Sequence, residues 1–150
     1  MSTFIKADAT RTPFGKNVWR YSVYDVKLTS YTCAAALVPN NMTVDSVATK
    51  VLQPGTIMAV ATSGASSGKV GVFQASVTDG RQTAANIVGI NDTFLPWQLT
   101  ERDVEIAVAY EATAKQSWCI EHNAGGAQIA LSNTTRDAIL ALPNLALLFK

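Results

Sequence analysis

DVEIAVAYE, residues 103–111, alternates large apolar side chains with small or charged ones. Val104, Ile106, Val108 and Tyr110 take one side and Glu105, Ala107, Ala109 and Glu111 the other, the period-two pattern of a strand with one buried face. The stretches before it also read as strands. VLQPGTIMAVA (51–61) has Pro54-Gly55 as a turn and 57–61 as a short buried strand. SGASSG (63–68) is a small-residue hairpin loop that leads into a returning strand over 69–74. Thr78-Asp79-Gly80 is a second turn, with Gly80 able to take positive φ, and 82–90 is the next strand, ended by Asn91-Asp92. Beyond residue 111, extended segments over 117–121 and 127–131 flank a loop closed by Gly125-Gly126. Only the end reads as helix. Thr134-Thr-Arg-Asp137 has the form of a capping box, Ala138, Ile139 and Leu142 share a face, and Pro143 stops the turn before a last apolar strand over 145–149. The fold class is therefore mainly β (α+β), with one short C-terminal helix.

Composition narrows the function. The 150 residues suit one domain, and 15% charged residues is well below the ~25% usual in soluble domains. With 48% hydrophobic residues the chain has enough apolar surface to repay ordering, so disorder is not expected. No apolar run approaches the ~18–20 residues that span a bilayer, and residues 1–16 lack the apolar region of a signal peptide. A net charge of +1 argues against a general nucleic-acid binder. Neither nucleic acid nor membrane is expected as a partner. A surface this poor in charge is expected to meet another protein. Cys33 and Cys119 form no disulfide framework; two buried thiols are the preferred reading, with a single bridge as the alternative in an oxidising setting.

The N-terminal stretch stands apart. Residues 1–27 carry Lys6, Arg11, Lys16, Arg20 and Lys27 against Asp8 and Asp25, while residues 28–44 carry no charge. Phe4, Phe14, Trp19, Tyr21, Tyr24 and Tyr31 place six of the twelve aromatics in the first 31 residues. VWRYSVYDV (18–26) reads as an extended strand, with Trp19, Tyr21 and Val23 on one face. Such a segment is either the first strand of the core or an arm that pairs with the sheet edge of another chain. Pro39-Asn40-Asn41 is a loop signal, and the expected division is an extended arm over 1–45 and a β-rich body over 46–150.

Three groups of residues invite chemistry and do not sustain it. GASSGK (64–69) has too few residues between its glycines for a phosphate loop. Val70 also stands where a magnesium-holding hydroxyl is needed, and a strand follows where a helix should begin. Cys119 and His122 could form a nucleophile pair, but positions three apart on a strand point to opposite faces. Glu101, Asp103 and Glu105 share a strand face that solvation alone explains. No catalytic, cofactor or metal site is expected, and the chain reads as a non-enzyme. The remote rival is a small hydrolase built on Cys119 and His122.

One stretch resembles a known family. Gly55-Thr56-Ile57, followed by a hairpin and then Asp79-Gly80-Arg81-Gln82-Thr83-Ala84-Ala85, is similar to the head decoration (capsid cement) proteins of tailed phages, lambda type. That family tends to show a Gly-Thr-hydrophobic strand and an Asp-Gly-x-Gln-Thr-Ala-x-Gly turn. This chain departs at Asn86, where glycine is commoner and where an Asn able to take positive φ would substitute mildly. The likeness covers residues 51–90 well, 104–150 loosely and 1–50 not at all. It implies a small β-barrel or β-tulip-like body with an extended N-terminal arm, assembled as a homotrimer on the outer surface of the virion capsid. Such a protein is made in the host cytoplasm. On the capsid it binds the major capsid protein and cements neighbouring subunits against internal DNA pressure. Phe4, Ile5, Phe14, Val18, Trp19, Tyr21, Val23 and Tyr24 would be the capsid-binding arm, and Asp79, Gly80, Gln82 and Thr83 the family-like turn. The nearer rival is another phage structural module, such as a tail-tube, neck or fibre-attachment β-sandwich.

Overall fold

A computed structural model of the chain describes residues 19–150, and it is mainly β. The main sheet holds β1 (Lys27–Cys33), β4 (Ile57–Val60), β5 (Val70–Val72), β6 (Ile87–Asn91), β7 (Val104–Ala114) and β10 (Ala146–Phe149). Its order is β1-β5-β4-β6-β7-β10, and β1 also pairs with β7. Five strands thus follow one another in a ring, and β10 lies parallel to β7 outside it. The ring closes unevenly. β1 runs antiparallel to β7 along its whole length, but it meets β5 at one pair, Cys33 with Val70. Two small hairpins, β2 (Met42–Val44) with β3 (Val47–Thr49) and β8 (Ile120–His122) with β9 (Gln128–Ala130), complete the strands.

The ring separates two apolar clusters, and this explains the run Ile57-Met58-Ala59. β4 is covered on both faces, so every position from 57 to 59 is fully buried and alternation disappears. Ile57 and Ala59 join Trp19, Ile87, Ile90, Cys119, Leu131, Ile139 and Leu147, whereas Met58 joins Cys33, Val38, Leu52, Val70, Val72, Leu95 and Leu99. β7 serves both clusters in turn. Ile106 and Val108 face the second, and Ala109, Ala112 and Ala114 enter the first. The change is made by a bulge: Leu28 pairs with Ala109 and Lys27 with Glu111, which leaves Tyr110 as the extra residue. The unbroken alternation expected over 103–111 therefore fails at its end, with Ala109 buried and Tyr110 turned out to 37% exposure. Gly89 lets β6 approach there, because a Cβ at this residue would sit 2.1 Å from the Ala109 carbonyl oxygen.

The helix is present but starts earlier than its sequence suggests. α1 (Asn133–Leu140) is capped by Ser132, whose Oγ accepts from Thr135 N–H at 3.2 Å. Asp137 reaches no cap and instead accepts from Arg136 Nε at 2.8 Å. A serine cap of this kind contributes about 1 kcal/mol. Ile139 points into the first cluster, and Leu142 and Leu145 pack against its edge.

The N-terminal region differs most from its reading. The strand expected over 18–26 does not form: the described part, from Trp19, is a short bridge followed by bends, and the strand begins at Lys27. Arg20 bridges to Ala114, and Tyr21 N–H donates to the Thr113 carbonyl at 2.8 Å. Ser22 Oγ then accepts from Tyr24 N–H, a local bond that competes with a ladder. β1 is an integral strand of the main sheet, so the body takes in residues assigned to the arm. A division at 45/46 would cut the β2–β3 hairpin at its turn, where Asp45 and Ser46 both have positive φ (50° and 66°). Of the expected arm residues, Phe4, Ile5, Phe14 and Val18 lie outside the described residues.

Candidate functional site

The strand that begins at Ile57 is tied to the Asp79 turn through the residues that follow it. Two residues past β4, Thr62 N–H donates to the Asp79 carbonyl at 2.8 Å, and Ser63 N–H joins the same oxygen. Gly80 has φ +103°, and a Cβ on it would lie 2.2 Å from Thr62 Oγ1 and 3.1 Å from Thr62 N, so the turn admits only glycine here. Gln82 Oε1 accepts from Gly80 N–H at 3.0 Å, and Thr83 N–H donates to the Gly80 carbonyl at 3.1 Å. Asn86 does not act through positive φ, as expected of it. It closes a 3-10 turn, and its Nδ2 donates to the Gly80 carbonyl at 2.8 Å. Of Asp79, Gly80, Gln82 and Thr83, Gln82 and Thr83 are exposed.

Arg81, the unassigned position of that pattern, is the residue sequence reasoning missed. Only 4% exposed, it sends Nη1 to the carbonyls of Leu37 (2.7 Å) and Val72 (2.9 Å). Its Nε and Nη2 fork onto the Asp79 carboxylate at 2.9–3.1 Å. Burial works against the charged Asp79, but the Arg81 side chain and backbone N–H hold its pKa below the usual carboxylate value. Gly71 makes room for this pin, since a Cβ there would stand 2.3 Å from Leu37 Cβ and 3.1 Å from Arg81 Cδ. A locally available signal was the pair Asp79 and Arg81, two apart across a glycine turn.

The other expected arm residues divide. Trp19 is completely buried in the first cluster, whereas Tyr21, Val23 and Tyr24 are exposed to 56%, 65% and 96%. Arg20, beside Trp19, is committed to Asp92 through a two-pronged ion pair. Close to Tyr21, β7 and β10 form a groove of about 380 Å³ whose lining includes Asp25, Glu111, Leu140, Leu145 and Leu148.

The motifs set aside as non-catalytic have separate structural partners. Gly64 and Gly68, at φ +82° and +88°, shape a loop between β4 and β5, and Lys69 Nζ is paired with Asp103 at 2.7 Å. That lysine and the Ala35 N–H hold the Asp103 pKa below its ordinary value. Glu105 accepts from Thr32 Oγ1 at 3.2 Å. Cys33 and Cys119 are both buried and unbridged, and burial pushes the Cys33 thiol up to about 12. Cys119 Sγ donates to the Lys115 carbonyl at 3.4 Å, while His122 Nε2 faces Asn41 Nδ2 at 3.1 Å.

The tautomer of that histidine follows from its partner. Asn41 is fixed by Val51, to whose carbonyl it donates and from whose N–H it accepts, so its Nδ2 can only donate to the ring. His122 Nε2 is then the acceptor, and the proton lies on Nδ1, which has no partner among the described residues. Burial first, and the Arg81 charge second, push its pKa down from 6.5 to about 4. The neutral ring is therefore favoured by folding. Its stabilisation is fully present above pH 6.5 and is lost as pH falls toward 4, to an extent of about 3 kcal/mol. Denaturant titrations at pH 7 and pH 4.5 are expected to show a stability loss that is about 2 kcal/mol smaller in His122→Gln than in the parent. Equal losses in both proteins would contradict the assignment.

No family model, curated protein or solved structure matches the chain.

Proposed function

We propose that this chain is a structural virion protein of the head decoration type. It binds the outer surface of the mature phage head as trimers and cements neighbouring major capsid subunits, with no chemical step. The reading is carried by the Gly55-Thr56-Ile57 and Asp79-Gly80-x-Gln82-Thr83 pieces of the sequence; Thr62, two residues past β4, ties the strand that begins at Ile57 to the Asp79 turn. The low charge and the exposed Tyr21, Val23 and Tyr24 beside the chain entry support it further. The main-chain groups of an extended segment would satisfy a capsid sheet edge, and Phe4, Ile5 and Phe14 would fill pockets along it. Three arms in one trimer raise one another's effective concentration. Binding that favours the expanded lattice stabilises it by linkage.

The test must respect the fold. Removing residues 1–30 would take Trp19 and half of β1 with it, so the informative deletion ends at residue 18. A chain lacking residues 1–18 is expected to keep the melting transition of the parent within a few degrees and to lose attachment to expanded capsid shells. Full occupancy of those shells by the shortened chain would overturn the arm.

A further inference from the structure

The Asp79 turn carries a chemical hazard that the fold itself requires. Asp79-Gly80 is the one place in the sequence where Asp or Asn precedes Gly. With no Cβ on residue 80, the peptide nitrogen is unshielded and can attack the Asp79 side-chain carboxyl carbon. A bond forms from Gly80 N to Asp79 Cγ, the carboxyl OH leaves with the amide hydrogen as water, and a five-membered succinimide results. Water then opens the ring on one side or the other. Breaking the Cγ–N bond restores aspartate, whereas breaking the original peptide bond leaves isoaspartate, whose main chain runs through Cγ and is one carbon longer. No oxidant or cofactor enters. Neither residue can be exchanged to avoid the reaction, because Thr62 Oγ1 occupies the space of any Cβ at position 80 and Asp79 is the carboxylate that holds Arg81.

We infer that Asp79-Gly80 is a site of isoaspartate formation gated by Arg81 and Gln82, closed while their contacts hold and open when the turn lets go. Three sets of contacts keep the reacting atoms apart. Arg81 comes first: its Nε, Nη2 and backbone N–H occupy both Asp79 carboxylate oxygens at 2.9–3.1 Å. These bonds favour the ionised carboxylate, which has no hydroxyl to lose. Burial opposes that charge, and the Arg81 contacts outweigh it. Second, the Gly80 N–H is committed to Gln82 Oε1 at 3.0 Å. Third, the Asp79 carbonyl accepts from the Thr62 and Ser63 N–H groups at 2.8 and 3.3 Å. The peptide plane that carries the Gly80 nitrogen is thus held at both its ends and cannot swing toward Cγ. The product could not be reabsorbed. Isoaspartate bears its free carboxylate on Cα and lengthens the turn, so the Arg81 fork has no matching partner. The hazard belongs to the turn, whatever the chain binds.

The test is incubation of the full chain at pH 7, followed by proteolysis and mass spectrometry that distinguishes isoaspartate from aspartate at Asp79 and at Asp45. Asp45-Ser46, the exposed turn of the β2–β3 hairpin, has no such clamp among the described residues and serves as the reference within the same molecule. At Asp79 the folded parent is expected to react at least about tenfold more slowly than the same protein held unfolded in urea. Below their unfolding transitions, Arg81→Gln is expected to raise the Asp79 rate about tenfold and Gln82→Ala about threefold, with the Asp45 rate unchanged in both. Equal Asp79 rates in the folded and unfolded parent would overturn the gate. A rise at Asp45 to match the rise at Asp79 would signify general loosening and overturn the local role of Arg81. An unchanged Asp79 rate in either variant would overturn the part assigned to that side chain.

Discussion

Trp19→Ala is expected to lower the unfolding free energy by about 3–5 kcal/mol, the range for emptying a large aromatic site in a core. Trp19 is fully buried among Ile57, Ile90, Ala114, Cys119 and Leu147, where it ties the chain entry to the first apolar cluster. Its Cβ also closes on Gly55, where a methyl added to the glycine would fall 3.1 Å away. The site cannot collapse easily, because Gly55 and the Trp118 carbonyl, 2.7 Å from that same methyl position, form a rigid wall. Trp19→Phe separates packing from hydrogen bonding. The indole Nε1 has no partner among the described residues, so the phenyl ring loses volume but no bond, and a cost below about 1.5 kcal/mol is expected. Urea titrations of the three proteins decide the matter. An alanine variant as stable as the parent would mean that Trp19 is not a core residue and would return it to the arm.

The second large effect belongs to Arg81. Arg81→Ala is expected to cost about 3 kcal/mol, the lower end for breaking a buried ion pair. The guanidinium satisfies the Leu37 and Val72 carbonyls and holds Asp79, and truncation strands all three while opening a void beside Gly71. Asp79 is 23% exposed at its side chain and can recover water, which is why the lower end applies. Arg81→Lys should recover less than half of the loss, since an ammonium cannot reach two carbonyls and a carboxylate in the geometry of the fork. A lysine variant equal to the parent in thermal and urea unfolding would refute the pinning role.

Strand content was legible because burial repeats along the chain. Ile57–Val60 and Ala146–Phe149 each stand as strands among apolar neighbours, and the hairpin loops carry their own glycine signals. The Tyr110 bulge was not legible, since the pairing that creates it lies in Lys27 and Leu28, some eighty residues upstream. The burial of Trp19 was not legible for a related reason. A period-two pattern near a terminus is the same whether the aromatic face meets the chain's own core or another protein, and only the contacts with Ala114 and Lys115 choose. The helix was found and its cap displaced by two residues, because Ser132 and Thr134 are both competent caps and the Ser132–Thr135 bond decides between them. The partners of His122 and Arg81, Asn41 and Leu37, lie 81 and 44 positions away, beyond the reach of any local pattern.

The measurement that bears most directly on the capsid-cement proposal is co-sedimentation of the purified protein with immature and expanded capsid shells from its own source. The proposal predicts attachment to expanded shells alone, saturating near one copy per capsid subunit. Absence from both shells would contradict it and favour a tail or neck module, with the Asp79–Thr83 turn a feature shared by unrelated folds.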